Sequence, residues 1–235
     1  MPFLRTLAAA ATVLVVAVVG LVAVGVAFGN PWLLLPRVPP RSGMDRFLVW
    51  AWPTACLFEG MMAMAGDRSR WCPKQAFVGA GFGRLVAAAY LGGTLLAGSV
   101  FLQPDADVLP LLAWAALCGS AWHLIASSRQ QVVAAVVLVV ALLATGGLIL
   151  VGGWIRGGLV AVPIAVAVGG VAFIRLPPFR HVAVGCGAAG LLGLIGLGHF
   201  FGRVTVMQAS TVVAASVAVV LVWPWLERRL AARPC

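Results

Sequence analysis

The chain has 235 residues, of which 63% are hydrophobic and only 9% are charged, and its mean hydropathy is +1.08. Soluble domains carry about 25% charged residues, and a water-exposed surface this poor in charge would aggregate. The net charge is +10, but the basic residues are scattered among short segments, which favours membrane-facing loops over a nucleic-acid partner. We therefore predict a single integral membrane domain over residues 1–235, with the lipid bilayer as its partner.

Apolar runs of spanning length follow one another along the chain. A helix needs about 20 apolar residues to cross a hydrocarbon layer about 30 Å thick. The runs predict an all-α fold, a polytopic transmembrane helical bundle with eight spans or, alternatively, seven. The predicted spans cover residues 7–28, 47–66, 85–102, 108–127, 132–151, 157–174, 181–202 and 204–226. An earlier start at Ala76 is an alternative for the third span.

The first two of these runs have unusual features. The first is longer than the apolar part of a typical signal peptide, so we predict a retained helix that ends at Asn30-Pro31. The second, residues 47–66, contains Pro53 and Glu59 and is ambiguous. It is either a kinked helix that crosses or a segment that dips into the membrane, and the span count depends on it.

Orientation follows from the distribution of Lys and Arg, which collect in cytoplasmic loops. With eight spans one side carries 11 basic residues and the other 5, whereas with seven the division is 13 against 3. Both schemes place the C-terminus in the cytoplasm, but they differ on the side of the N-terminus. The dominance of Arg over Lys is typical of GC-rich bacterial genomes, so we expect a bacterial-type cytoplasmic (inner) membrane.

Glu59 is an acidic residue well inside an apolar run. A carboxylate in the bilayer must be paired, protonated or in contact with water, so Glu59 is either a proton- or cation-coupling site or an interfacial residue. Cys56 and Met62 lie three residues to either side and share its face of a helix. Their sulfurs would suit Cu(I), but paired Met or Cys motifs are lacking, so we predict packing and no cofactor.

Small residues recur every four positions in two places, Gly185, Ala189 and Gly193 in one and Gly79 and Gly83 in the other. Such spacing lets helices approach closely in lipid, where there is no hydrophobic drive between them. We predict helix packing at these positions rather than a ligand site.

Catalytic and haem-binding patterns are weak. His123 and His199 lie near the ends of predicted spans and are therefore predicted to be interfacial rather than haem ligands. Ser120 and His123 are three residues apart, but no third group is evident to orient them. Zinc-protease and serine-hydrolase motifs are absent, so we predict no catalytic residue and no metal site.

Three functions remain open. The favoured one is a non-catalytic membrane subunit or scaffold that binds another membrane protein or self-associates. The alternative is a small permease for a neutral or apolar solute, with Glu59 as coupling residue and Thr94, Thr145 and Gln208 in its lining. An intramembrane enzyme ranks last.

Overall fold

The structure, a computed structural model, describes residues 2–40, 42–68, 73–96, 109–174 and 176–231. These ranges contain helices and turns but no strand. In chain order the helices are α1 (Pro2–Ala27), α2 (Gly43–Arg46), α3 (Trp52–Arg68), α4 (Pro73–Leu96), α5 (Leu109–Ala126), α6 (Gln131–Val151), α7 (Ile155–Ala172), α8 (Pro177–Phe200) and α9 (Val206–Ala231).

Five of the described helices, α1, α6, α7, α8 and α9, are long and apolar enough to cross a membrane. The prediction of an all-helical chain with apolar helices of spanning length is therefore confirmed for the described residues. Leu112–Ala126 in α5 is a shorter apolar helix. The choice between eight and seven spans stays a prediction.

The ambiguous segment around Pro53 is helical throughout. Ser42 caps α2, and a π-helical turn over Phe47–Ala51 leads into α3, with the Trp52 N–H bonded to the Phe47 carbonyl. Proline has no N–H to donate to the α-helical ladder, and a π turn shifts that ladder by one residue. The chain thus runs as one helical path from Gly43 to Arg68.

The helix α4 differs most from its predicted span. It begins at Pro73 and ends at Leu96 within the described residues, whereas the apolar run predicted a span over 85–102. Proline is well tolerated in the first turn of a helix, where its missing N–H would have no partner anyway. As a consequence Arg84, which the sequence assigned to a basic loop, lies near the middle of a helix.

The helix α8 is the centre of the bundle. In its apolar window 94% of the residues are buried, and it packs against α1, α3, α5, α6 and α7. Its glycines make room for large side chains from the neighbours: a Cβ on Gly193 would overlap the ring of Phe47. In contrast, only 11% of the α9 window is buried.

Side-chain bonds between distant segments define two ends of the bundle. At one end, which we call the Asp45 end, Arg156 bonds to Asp45, and Arg203 bonds to the Gly152 carbonyl. At the other, the Glu227 end, Gln130 in the α5–α6 turn donates to Glu227 in α9.

Candidate functional site

The core of the bundle contains a buried ion pair between α3 and α4. The Arg84 Nε donates to Glu59 Oε1 at 2.6 Å, and its Nη2 donates to Oε2 at 2.9 Å. Glu59 is 2% exposed and Arg84 is 6% exposed. A two-pronged arrangement of this kind is the strongest form of an arginine–carboxylate contact, because each oxygen receives its own charged donor.

The helices bring these two groups together because neither can be buried alone. Glu59 is the single charged residue between Arg46 and Asp67, and Arg84 is the single one between Lys74 and Asp105. An unpaired charge in an apolar interior costs several kcal/mol, which the opposite charge offsets when the geometry is good. Each is therefore the natural partner of the other once α3 and α4 pack side by side.

Arg84 also extends the site to α5. Its Nη1 lies 3.0 Å from His123 Nδ1 and 3.4 Å from Ser127 Oγ, and the latter two atoms are 3.4 Å apart. Since a guanidinium can only donate, the Nδ1 atom of His123 must accept, which places the imidazole proton on Nε2. Ser127 is exposed. The polar cluster of Glu59, Arg84, His123 and Ser127 thus reaches from the core to the surface.

The helix α8 closes the other side of the ion pair. A Cβ on Gly185 would overlap the carboxylate of Glu59, so glycine is needed for this close approach. At the next residue of α8, the Cys186 carbonyl accepts a hydrogen bond from the indole N–H of Trp52 at 2.9 Å. Trp52, Cys56 and Glu59 therefore line the face of α3 that packs on α8, and both Cys56 and Cys186 are fully buried.

The other residues that the sequence predicted for a site or for helix packing lie on the helices around this cluster. Cys56 is fully buried, and Met62 is half-buried, with its sulfur beside Gly83. Ala189 is also fully buried. Gly79 belongs to α4, but its surroundings lie outside the described side chains. The structure thus brings Cys56 and Glu59 together with Gly185, whereas Met62 contacts the neighbouring part of α4.

A second ion pair lies at the Asp45 end. The Arg156 Nη2 donates to Asp45 Oδ1 at 2.7 Å and to the Leu35 carbonyl at 3.0 Å. Asp45 also accepts from the hydroxyl and N–H of Ser42 and from the N–H of Arg37. Burial alone would raise the pKa of Asp45, but these bonds from Ser42, Arg156 and Arg37 outweigh it and hold that pKa below its usual value.

The chemistry available to the cluster is limited. Within the described ranges, no group of three or more His, Cys, Asp or Glu side chains is placed to hold a metal ion. Both oxygens of Glu59 are already engaged by Arg84, so the carboxylate is poorly placed to act as a base. The arrangement is suited to joining α3, α4, α5 and α8.

Sequence reasoning missed Arg84 and Ser127 as members of this site and assigned His123 to the interface. The signal for Arg84 was present, because it interrupts an otherwise uncharged apolar stretch that starts at Ala76. A single arginine in such a stretch is expected to pair with a carboxylate from another helix. Ser127 carried no comparable signal, and Ser120, which the sequence spacing placed near His123, is exposed.

Comparison of the chain with models of protein families, with curated proteins and with solved structures finds no match.

Proposed function

We propose that this chain is an eight-span integral membrane protein that serves as a non-catalytic subunit or scaffold. The membrane is a bacterial-type cytoplasmic (inner) membrane. Five helices of spanning length support the membrane location, and the three remaining long helices, α3, α4 and α5, bring the number to eight. The buried charges of α3 and α4, Glu59 and Arg84, are paired with one another, as bilayer burial requires.

The observation that carries the proposal is that the carboxylate of Glu59 is fully paired and tightly enclosed. Its carboxylate is held by both prongs of Arg84 and lies against Gly185, where even a methyl group would overlap it. A coupling carboxylate must exchange a proton or an ion with its surroundings, and a substrate site needs space beside it. Glu59 therefore serves to hold helices together.

The lateral surface of the bundle favours the presence of a partner protein. Only 28% of the α1 window and 11% of the α9 window are buried within the chain, so both helices present most of their apolar side chains outward. Helices on the outside of a bundle are where another membrane protein or a second copy of the chain can pack.

The orientation we propose places the Glu227 end, and with it the C-terminus, in the cytoplasm. Moving Arg84 from a loop into the bundle lowers the predicted cytoplasmic total of Lys and Arg from 11 to 10, against 5 on the other side. The excess still points the Glu227 end inward.

The test is purification of the tagged full chain from its native membrane in a mild detergent. A scaffold should elute with a partner, or as a homo-oligomer, at a fixed stoichiometry measured by mass photometry. The charge-neutral double variant E59Q/R84Q, which keeps amide groups at both positions, should retain that partner. Elution as a bare monomer from several mild detergents would contradict the proposal.

A second candidate, the permease, is favoured by one observation. Polar groups follow one another from exposed Ser127 through His123 and Arg84 to buried Glu59. Such a series forms a polar route from the surface to a carboxylate, as a coupled permease requires. Arg84 itself stays protonated, so Glu59 takes up a proton in this scheme only after Arg84 releases it. Proteoliposomes with an internal pH dye separate the two: E59Q should leave proton flux unchanged for a scaffold and abolish it for a coupled permease.

A further inference from the structure

In the part of α9 that the structure describes, one polar contact attaches the end of the helix to the bundle. Little of α9 is buried, but near its end the side-chain amide of Gln130 donates to Glu227 Oε2 at 2.6 Å. This bond places the α5–α6 turn beside the last turns of α9. Arg129 precedes Gln130 and Arg228 follows Glu227, so the contact brings two cationic segments together.

Three arginines lie next to this contact in sequence. Arg129, Arg228 and Arg229 are all exposed. The charge of Glu227 is the nearest anion in sequence, and Gln130 engages one of its oxygens. The Arg229 guanidinium lies 4.5 Å from the centre of the Trp225 ring, and the Arg228 Nε donates to the Pro224 carbonyl. These contacts hold both guanidinium groups against the preceding turn of α9.

Apolar side chains continue from the arginines along α9. Leu221, Val222 and Leu226 are exposed, and so are the rings of Trp223 and Trp225. Tryptophan collects at the membrane–water boundary, and basic groups on the cytoplasmic side attract anionic headgroups by about 1 kcal/mol each. A cationic cluster placed above an exposed apolar helix is complementary to one kind of molecule, an anionic phospholipid.

We propose that the α5–α6 turn and the end of α9 form a binding site for an anionic phospholipid headgroup. The phosphate bridges Arg129 to the Arg228–Arg229 pair, and the acyl chains lie along the exposed face of α9. The lipid thereby adds a second attachment for α9 beside the Gln130–Glu227 bond. This inference rests on the proposed membrane location, but not on the scaffold role.

The test uses the full chain in nanodiscs of phosphatidylcholine with or without phosphatidylglycerol, where both ends of the protein meet the same lipid. Native mass spectrometry of the released protein measures which lipid stays bound. The wild type should retain phosphatidylglycerol in preference to phosphatidylcholine. The triple variant R129Q/R228Q/R229Q should lose about a hundredfold of that preference, since each of the three arginines contributes about fivefold.

The matched control removes the same number of charges elsewhere, in the triple variant R5Q/R37Q/R203Q, and should keep the preference. Equal loss in both variants would show a general charge effect and overturn the site. Displacement of the lipid by inorganic phosphate alone would overturn the assignment to a phospholipid.

A second measurement needs no substitution. Hydrogen exchange of the wild-type chain should be slower at the α9 amides in discs with phosphatidylglycerol than in discs without it, while α8 stays unchanged. Equal exchange of α9 in the two lipids would overturn the proposed attachment, whatever the folding of the triple variant. Failure of the chain to enter discs at all would contradict the membrane location instead.

Discussion

The Glu59–Arg84 pair in the core and the Asp45–Arg156 pair at the Asp45 end differ in what else holds each carboxylate. Glu59 receives both of its charged hydrogen bonds from a single side chain in the core. Asp45 receives one from Arg156 and others from Ser42 and the Arg37 backbone, and the Arg156 side chain is 25% exposed.

This difference decides which pair the fold depends on. A carboxylate with several donors keeps most of its hydrogen bonds when one donor is removed. Where the lost donor is a partly exposed arginine, water can supply a hydrogen bond in its place. A carboxylate whose donors sit on one buried arginine loses them together, in a place that water reaches poorly. We therefore expect the two pairs to respond very differently to the same substitution.

The largest effect is expected for Arg84→Gln. This change leaves the Glu59 carboxylate buried without its cation, which typically costs about 3–5 kcal/mol of unfolding free energy. Unfolding of the purified protein by titration with sodium dodecyl sulfate, followed by tryptophan fluorescence, measures the loss.

The double variant E59Q/R84Q sharpens this result. It removes both charges and should be more stable than Arg84→Gln alone, giving a coupling energy of up to about 3 kcal/mol in the double-mutant cycle. Additive losses in the cycle would show that the two side chains do not depend on each other, and the difference between the two pairs would disappear.

The next largest effect is expected for Gly185→Ala, which disturbs the Glu59–Arg84 pair by adding volume beside it and leaves both charges in place. The added methyl overlaps the Glu59 carboxylate, and overpacking of a tight interior costs about 1–3 kcal/mol. Gly170→Ala in α7 is the matched control, because a Cβ there meets nothing within 4 Å. It should be neutral or slightly stabilising, since alanine favours the helix. Equal losses at the two glycines would refute the close approach.

Arg156→Gln should cost less, about 1 kcal/mol, because Asp45 keeps the bonds from Ser42 and Arg37. The same detergent titration measures it, side by side with Arg84→Gln. A loss as large as that of Arg84→Gln would break the comparison, since it would mean that the additional donors contribute nothing.

The pH dependence of stability should reveal the contribution of the Asp45 carboxylate. Its pKa is lower in the folded chain than in the unfolded one, so the stability it contributes is complete above about pH 4. That contribution is lost as the pH falls through the folded pKa, because the unfolded carboxyl binds its proton first. Thermal melts between pH 6 and about pH 3 should show this slope in the wild type and a shallower one in Asp45→Asn.

Much of the helical architecture was accessible from the sequence, since apolar length alone predicts a helix in lipid. The need of Glu59 for a partner was also predictable, and pairing is what the structure shows. Its partner was missed because the favoured span began one residue after Arg84, which left that arginine in a loop. The alternative start at Ala76 would have included it. The Asp45–Arg156 pair joins residues 111 positions apart, and no periodicity indicates which turns meet at one end of a bundle.

The smallest effect is expected at the outer edge of the Glu59 cluster, in Ser127→Ala. Its hydroxyl lies 3.4 Å from both Arg84 Nη1 and His123 Nδ1, at the limit of hydrogen bonding, and the side chain is exposed, so water can replace it. The unfolding free energy should change by less than about 0.5 kcal/mol. His123→Ala, which removes the 3.0 Å acceptor of Arg84, should cost more, about 1 kcal/mol. If Ser127→Ala cost as much as His123→Ala, the cluster would depend on its surface edge, and core burial would not be what sets the Glu59 pair apart.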